Sequence, residues 1–182
     1  VIAPSVPKDY NVQLGNSSTV RYAQLFNWDP TLKLFCNRGT NGIDGSVSTA
    51  AGAAMVNKEP TLLICGDLSF IYDSNGLWNN YIPGNFRIIV INNSGGGIFR
   101  ILPGNKNSEN FETFFETTHQ HHASHICSMF GFEYISANSS EELEHKLRDF
   151  YKISAKPKLL EIFTPRTIND EVLLEYFNFI RS

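Results

Sequence analysis

Two polar tetrads, Gly66-Asp67-Leu68-Ser69 and Asn92-Asn93-Ser94-Gly95, each follow a short apolar run in this 182-residue chain. The runs before them have the length and the β-branched content of buried strands. The segment between the tetrads is long enough for one helical crossover, so the pair predicts a βαβ unit with parallel neighbouring strands. Asp67 and Asn93 are therefore expected at the same carboxyl edge of the sheet, where open α/β sheets bind ligands.

The side chains expected at this edge suit a magnesium ion that carries a diphosphate. Asp67 offers a carboxylate and Asn93 offers an amide oxygen, 26 positions further on. Magnesium takes oxygen ligands and usually keeps one or two side chains, with water and substrate phosphates completing the shell. An Asp at a strand-to-helix turn can be only a helix cap, and Asn93-Ser94-Gly95 can be only a turn. The paired spacing favours the metal site over both.

Strands and helices alternate along the chain, which predicts a doubly wound α/β fold with a mainly parallel sheet and helices on both faces. The irregular stretch at 94–118 is long for a compact domain and is expected to be functional. Residues 1–13 predict the remnant of an interdomain linker, which leaves 14–182 as the domain. We expect strands near 33–36, 61–65, 86–91, 133–135 and 159–163, and helices near 16–27, 45–57, 67–81, 120–130, 140–151 and 169–180.

Composition indicates a globular domain and gives little support to several other classes. The formal charge is -3 without a basic run, so nucleic-acid binding is not expected. Apolar stretches are strand-sized and no signal-like N-terminus is present, so we expect no membrane span and a cytoplasmic protein. Cys36, Cys65 and Cys127 lack paired spacing, which predicts reduced thiols rather than disulfides or zinc ligands.

Three motifs give the chain its resemblance to one enzyme family. They are Asn37-Arg38-Gly39-Thr40-Asn41-Gly42-Ile43-Asp44-Gly45, Gly66 to Asp73, and Asn92 to Phe99 followed by Leu102-Pro103. The second and third resemble the thiamine-diphosphate fingerprint, although Leu68 stands where most such enzymes have glycine. Together the motifs resemble the SEPHCHC synthases of menaquinone biosynthesis, the MenD family (SEPHCHC is 2-succinyl-5-enolpyruvyl-6-hydroxy-3-cyclohexene-1-carboxylate).

The resemblance implies an enzyme that depends on thiamine diphosphate and Mg²⁺, or Mn²⁺ in its place. Such an enzyme decarboxylates 2-oxoglutarate and adds the acyl-anion equivalent to isochorismate. The chain would be its diphosphate-binding domain, without the N-terminal pyrimidine-binding and middle domains. The glutamate that activates the cofactor would come from the N-terminal domain of a second subunit of a homodimer. We therefore expect the isolated chain to be inactive.

The resemblance also implies roles for individual residues. Metal ligands would be Asp67, Asn93 and the Gly95 carbonyl. Ser17 and Arg21, one helical turn apart, would bind substrate carboxylates together with Arg38, because the arginine fork matches a carboxylate. Phe99 and Leu102 would form an apolar wall near the reacting carbon. The expected cofactor-binding residues are Gly39, Gly42, Ile43, Asp44, Gly66, Asp67, Leu68, Ser69, Asn93, Gly95, Gly96 and Ile98, with Ile43 wedged between the two cofactor rings.

Two alternatives stay open. A different thiamine-diphosphate carboligase or decarboxylase, similar to acetolactate synthase, would share the fingerprint, although Leu68 and the motif at 37–45 argue against it. A non-catalytic nucleotide-binding module would share the fold. The glycines at 39, 42 and 45 are spaced GxxGxxG rather than GxGxxG, which weakens a dinucleotide site.

A group of histidines is a further candidate metal site, made of His119, His121, His122 and His125. His121 and His125 have the i, i+4 spacing of one helix face, but no glutamate completes a HExxH pattern. We expect these residues to mark a helix start near the substrate mouth rather than to bind zinc.

Overall fold

The structure, a computed structural model, describes residues 1–102, 104 and 108–181; Pro103, which closes the third motif, lies outside them. Six strands form one sheet in the order β2-β1-β3-β4-β6-β5, and each recorded pairing is parallel. The doubly wound parallel fold predicted from the sequence is confirmed. The strands are β1 (Asn11–Leu14), β2 (Lys33–Cys36), β3 (Thr61–Gly66), β4 (Arg87–Asn92), β5 (Glu133–Ala137) and β6 (Lys158–Phe163).

Helices cover both faces of the sheet, and each face has its own apolar cluster. Leu62 and Ile64 of β3 point into one cluster, whereas Leu63 and Cys65 point into the other. A parallel strand buried on both faces is apolar throughout, which is why this run was recognisable. The helices are α1 (Ile2–Ser5), α2 (Ser18–Ala23), α3 (Ser46–Val56), α4 (Asp67–Tyr72), α5 (Ile98–Ile101), α6 (Ser124–Phe130), α7 (Ser140–Phe150) and α8 (Asn169–Arg181), with a 3₁₀ turn at Ser74–Leu77 and a π-helical turn at Phe111–Phe115.

None of the helices in the described part of the chain combines the length and the apolar character that a membrane span requires.

Strand β1 was missed by the sequence prediction, so the linker expected over residues 1–13 does not hold for residues 11–13. β1 lies between β2 and β3, and Val12 is completely buried. Its two polar residues pair with each other, because Gln13 Nε2 donates to Asn11 Oδ1 at 2.6 Å. Two apolar residues among four give too short a pattern to indicate a strand from sequence.

Helix α4 ends at Tyr72, well before the predicted end near residue 81. Asp73 leaves the helical conformation, and its carboxylate accepts hydrogen bonds from the Ser48 backbone N–H at 2.7 Å and from the Ser48 hydroxyl at 3.0 Å. Asp73 thus caps the first turn of α3 from a distant part of the chain. A partner 25 residues away leaves no local signal in the sequence.

Arg87 is a buried cation at the amino edge of the sheet, with a side chain only 1% exposed. Its guanidinium donates to the carbonyls of Phe150 and Lys152, both at 2.8 Å, and of Gly84 at 2.7 Å. Burial lowers the pKa of Arg87. Phe150 is the last residue of α7 and Lys152 follows its C-cap, so this one side chain ties the C-terminal end of the helix to β4.

We predict that Arg87→Met destabilises the domain by about 3 kcal/mol or more, because several buried carbonyls lose their donor. Urea unfolding measures the loss, and Arg148→Met, at an exposed position of α7, is the matched control. Equal free energies of unfolding for the two variants would contradict the role of Arg87.

Candidate functional site

Asp67 is the centre of the candidate site. It begins α4 directly after β3, and its side chain is 3% exposed. Its Oδ1 accepts from the Leu68 N–H at 2.8 Å, and its Oδ2 accepts from the Gly95 N–H at 3.0 Å. Since β3 and β4 are paired neighbours, the structure brings the two tetrads into direct contact.

The Asp67 carboxylate has only weak positive partners in the structure. Burial raises the pKa of Asp67, while the hydrogen bonds from Leu68 and Gly95 and the nearby His119 oppose that rise. Among the described residues, no lysine or arginine forms an ion pair with it. A buried carboxylate without a full cationic partner is electrostatically suited to a metal ion.

His119 lies beside Asp67, whereas its sequence context predicted only a helix start near the substrate mouth. Its Nε2 is 3.2 Å from Asp67 Oδ2, and its side chain is 6% exposed. Its Nδ1 accepts from the His121 N–H at 3.1 Å, and its buried Nε2, although close to the carboxylate, has no hydrogen-bond partner among the described residues. No sequence pattern predicts this contact, because His119 follows the irregular stretch that has no period.

The turn that carries Asn93 and Gly95 is built by Asn92. Asn92 Oδ1 accepts from the Ser94 N–H at 2.9 Å, and Ser94 has a positive φ of 61°. At Gly95, which has a φ of 153°, an added Cβ would lie 2.8 Å from the Glu116 carbonyl oxygen. An added Cβ at Gly97 would lie 2.5 Å from Asn93 Nδ2. Gly95 is therefore required for the turn to pack closely beside Asp67, whereas at Gly97 the Asn93 side chain would have to move.

The motif at 37–45 also reaches the Asp67 helix. Ser69 Oγ donates to the Ile43 carbonyl at 2.8 Å, and Asn16 Nδ2 donates to the Gly42 carbonyl at 3.0 Å. The Asn16 side chain is buried, and its Oδ1 has no hydrogen-bond partner among the described residues. The sequence analysis did not include Asn16 among the site residues, although it directly follows β1 at the same sheet edge.

The three residues expected to bind substrate lie further out. Ser17 and Arg21 share one face, as expected, but Arg21 Nη1 donates to the Ser17 carbonyl at 3.0 Å rather than to its hydroxyl. Arg38 follows the edge strand β2, which β1 separates from β3. Both arginines are exposed. They are therefore accessible to an anion but are not in contact with Asp67 in the described structure.

Helix α5 carries Ile98, Phe99 and, at its end, Leu102, and a buried glutamate holds it. The Glu116 side chain is fully buried, and it accepts from Arg100 Nε at 2.5 Å and Nη2 at 2.7 Å, and from Arg166 Nη1 at 2.8 Å. Its backbone carbonyl accepts from the Gly96 N–H at 2.6 Å. Sequence reasoning missed this cluster, because its members lie in irregular segments.

The histidines lie in two separate groups. His119 and His121 are stacked with ring centroids 5.3 Å apart, whereas His122 packs on Phe163. Helix α6 begins at Ser124 rather than near residue 120, so His121 and His125 do not share one helix face. In the described part of the chain, no three His, Cys, Asp or Glu side chains are grouped to hold a metal. A cation at Asp67 would therefore rely on other oxygen donors, which magnesium readily accepts.

Two cavities lie near these elements. The one beside Asp67 has a volume of about 420 Å³ and is lined by Ser94, Glu112, Thr118, His119, Gln120 and Arg166. A larger apolar cavity of about 680 Å³ lies between α2 and α7, and none of the predicted site residues lines either cavity. The smaller cavity is the better candidate for a polar ligand, because its lining is polar and charged and includes His119, which lies beside Asp67.

Comparison with known proteins agrees with these features. The family model for the thiamine pyrophosphate enzyme C-terminal TPP binding domain matches residues 15–162. A solved structure from Mycobacterium smegmatis, described as a candidate thiamin diphosphate-dependent enzyme, aligns with a TM-score of 0.67 and 21% identity over 90% of this chain and 30% of its own. That likeness supports the fold.

Curated relatives share much more of the sequence. A 2-succinyl-5-enolpyruvyl-6-hydroxy-3-cyclohexene-1-carboxylate synthase from Christiangramia forsetii is 67% identical, over 100% of this chain and 31% of the relative. Synthases of the same name from Flavobacterium psychrophilum and Porphyromonas gingivalis are 52% and 44% identical, over 97% and 99% of this chain. The chain thus spans about a third of the length of these relatives. By the extent of the family match, the chain belongs to the thiamine pyrophosphate enzymes, as a C-terminal TPP binding domain.

Proposed function

We propose that this chain is the diphosphate-binding domain of a SEPHCHC synthase, which decarboxylates 2-oxoglutarate and joins the product to isochorismate. The observation that carries the proposal is the contact between Asp67 and Gly95, which joins the two halves of the cofactor fingerprint at one sheet edge. The identity of 67% to a synthase of that name supports the substrate assignment. Product analysis of the full-length enzyme with both substrates separates this activity from that of another carboligase.

The residues that would hold Mg²⁺, or Mn²⁺ in its place, are Asp67, Asn93 and Gly95. The burial of Asp67 without a lysine or arginine partner among the residues that the structure describes, and the glycine-lined turn beside it, fit a diphosphate-bound metal ion. At Gly66 an added Cβ would meet no heavy atom within 4 Å, so open space remains at the start of α4. Thiamine diphosphate, when bound, supplies the acyl-anion chemistry, and the protein supplies binding and orientation.

Further residues of this chain would enclose the cofactor and the substrates. The loop with Gly39, Gly42, Ile43 and Asp44 would contact the cofactor, because Ser69 and Asn16 already hold it against the site. Phe99 and Leu102, 39% and 40% exposed, offer apolar surface that would exclude water from the reacting carbon. Ser17, Arg21 and Arg38 would bind the carboxylates of the substrates.

The remaining parts of the proposal concern the whole enzyme. The activating glutamate would come from the N-terminal domain of a second subunit, so the active form would be a homodimer. We place this enzyme in the cytoplasm. That the isolated chain is inactive follows from this assignment and stays a prediction.

We predict that Asp67→Asn in the full-length enzyme weakens Mg²⁺-dependent binding of thiamine diphosphate by more than about 100-fold, because a metal site loses its charged ligand. Isothermal titration calorimetry measures the affinity. Asp73→Asn is the matched control, since Asp73 is also buried but bonds to Ser48 rather than facing the turn at 93–95. Unchanged affinity in Asp67→Asn would remove the basis of the proposed function.

We predict that Arg21→Ala and Arg38→Ala each lower kcat/KM for 2-oxoglutarate or isochorismate by about 30-fold or more, the effect of losing roughly 2 kcal/mol of charge pairing. Cofactor affinity should stay within a few-fold, since the diphosphate is bound elsewhere. Steady-state kinetics at varied substrate and varied cofactor concentrations measure kcat/KM and the cofactor affinity. Arg148→Ala, on the exposed face of α7, is the control. Normal substrate kinetics, or lost cofactor binding, would contradict the assignment of these arginines.

A further inference from the structure

Glu161 is a buried carboxylate in the middle of β6, and the proposed chemistry does not use it. Its side chain is 1% exposed, and Leu159, Leu160 and Ile162 around it are apolar and buried. A carboxylate buried in a sheet costs several kcal/mol of folding free energy unless hydrogen bonds satisfy it. A leucine would fit the strand pattern better, so core packing alone does not explain why a glutamate occupies this position.

Three groups from three other elements donate to this carboxylate. Asn92 Nδ2 donates to Oε1 at 2.8 Å, and the Tyr134 hydroxyl donates to Oε2 at 2.7 Å. The Ala123 N–H lies 3.2 Å from Oε1 and 3.1 Å from Oε2. No lysine or arginine forms an ion pair with Glu161 among the described residues. Glu161 therefore joins the last residue of β4, the first half of β5 and the start of α6 to β6.

The bond to Asn92 fixes the turn that carries the proposed metal ligands. The Asn92 amide is held at both ends, since Nδ2 also donates to the His121 carbonyl at 3.0 Å and Oδ1 accepts from the Ser94 N–H. This arrangement holds Ser94 in its left-handed conformation. The next residue, Gly95, is thereby placed with its N–H on Asp67.

The bond to Ala123 fixes the second segment that reaches Asp67. Ala123 and the His121 carbonyl anchor the stretch that leads back to His119, whose own N–H donates to the Ser94 carbonyl at 3.2 Å. His119 Nε2 then lies beside the Asp67 carboxylate. Both segments that approach Asp67 from the β4 side are thus anchored on one buried side chain.

We propose that Glu161 is a positioning residue for the metal site: through Asn92 and Ala123 it holds the turn at 93–95 and the segment at 119–123 against Asp67. The proposal rests on the proposed function, because it assumes that Asp67, Asn93 and Gly95 bind the metal. Glu161 itself has no contact with Asp67. Its effect should therefore appear in metal affinity rather than only in folding stability.

Three substitutions separate the hydrogen bonds of Glu161 from its charge and from its packing. Glu161→Gln keeps the oxygen that accepts from Asn92, and its amide can donate to Tyr134, whose hydroxyl can turn to accept. Glu161→Leu removes every acceptor. Glu161→Asp keeps the charge but withdraws the oxygens by one methylene, so it cannot reach all three donors. Tyr134→Phe is the matched control, because it removes one donor and leaves Asn92 and Ala123 in place.

The experiment uses the full-length enzyme and measures the Mg²⁺ concentration for half-maximal thiamine diphosphate binding, together with the Tm of each variant without metal or cofactor. Relative to wild type, Glu161→Leu and Glu161→Asp should raise that concentration about 10- to 100-fold, while Glu161→Gln and Tyr134→Phe should stay within about threefold. If Glu161→Leu does not fold, Glu161→Asp provides the comparison.

A lower Tm with unchanged Mg²⁺ dependence in the folded variants would overturn the proposal and leave Glu161 a packing residue. An equal loss in Glu161→Gln would overturn it too, because charge rather than hydrogen bonding would then be responsible. Asp67→Asn distinguishes the two claims. If Asp67→Asn abolishes Mg²⁺-dependent binding of thiamine diphosphate while the Glu161 variants bind it normally, only the positioning role fails. If the Asp67→Asn variant also binds thiamine diphosphate normally, the proposed function fails as well.

Discussion

The hydrogen bond from the Gly95 N–H to Asp67 Oδ2 is the contact on which the arrangement of the candidate site depends. It exists because β3 and β4 are parallel neighbours in a fixed register, with Gly66 opposite Ile91. Both strands therefore end at the same level, and the polar residues that follow them meet. A shift of β4 by one residue would turn its side chains to the other face and separate the two tetrads.

The proposed metal-binding residues and the proposed substrate-binding residues differ in how firmly the structure holds them. Asp67, Asn92 and Glu161 are almost completely buried, and hydrogen bonds of ordinary length join Asn92 to Glu161 and Gly95 to Asp67. Arg21 and Arg38 are exposed, and Phe99 and Leu102 keep more than a third of their surface in solvent. Preorganisation of the proposed metal-binding residues suits a cofactor that stays bound, because rigid ligands lose little entropy on binding.

The sequence predicted the fold and the meeting of the two tetrads, because both depend on apolar runs that are buried on two faces. It failed for β1, where two amides interrupt a short strand, and for the end of α4, where Asp73 bonds to Ser48 instead of continuing the helix. Partners of buried polar groups are set by tertiary structure, which local periodicity does not encode.

Glu116 and the contact of His119 with Asp67 were missed for that same reason, whereas Glu161 did leave a signal. A single glutamate inside the run Leu159-Leu160-Glu161-Ile162 breaks the apolar pattern of a central strand. An isolated charge of this kind can be read from sequence as a buried group that needs partners. The identity of the partners, Asn92, Ala123 and Tyr134, still required the three-dimensional structure.

The central claim is that Asp67, Asn93 and Gly95 hold a divalent cation. The most direct test is a crystal structure of the full-length enzyme with thiamine diphosphate and Mn²⁺, in which the anomalous signal locates the metal. We expect one peak at a distance of about 2.0 to 2.3 Å from oxygens of Asp67, Asn93 and the Gly95 carbonyl. A peak at the histidines of residues 119–125, with Asp67 bound only to protein donors, would contradict it.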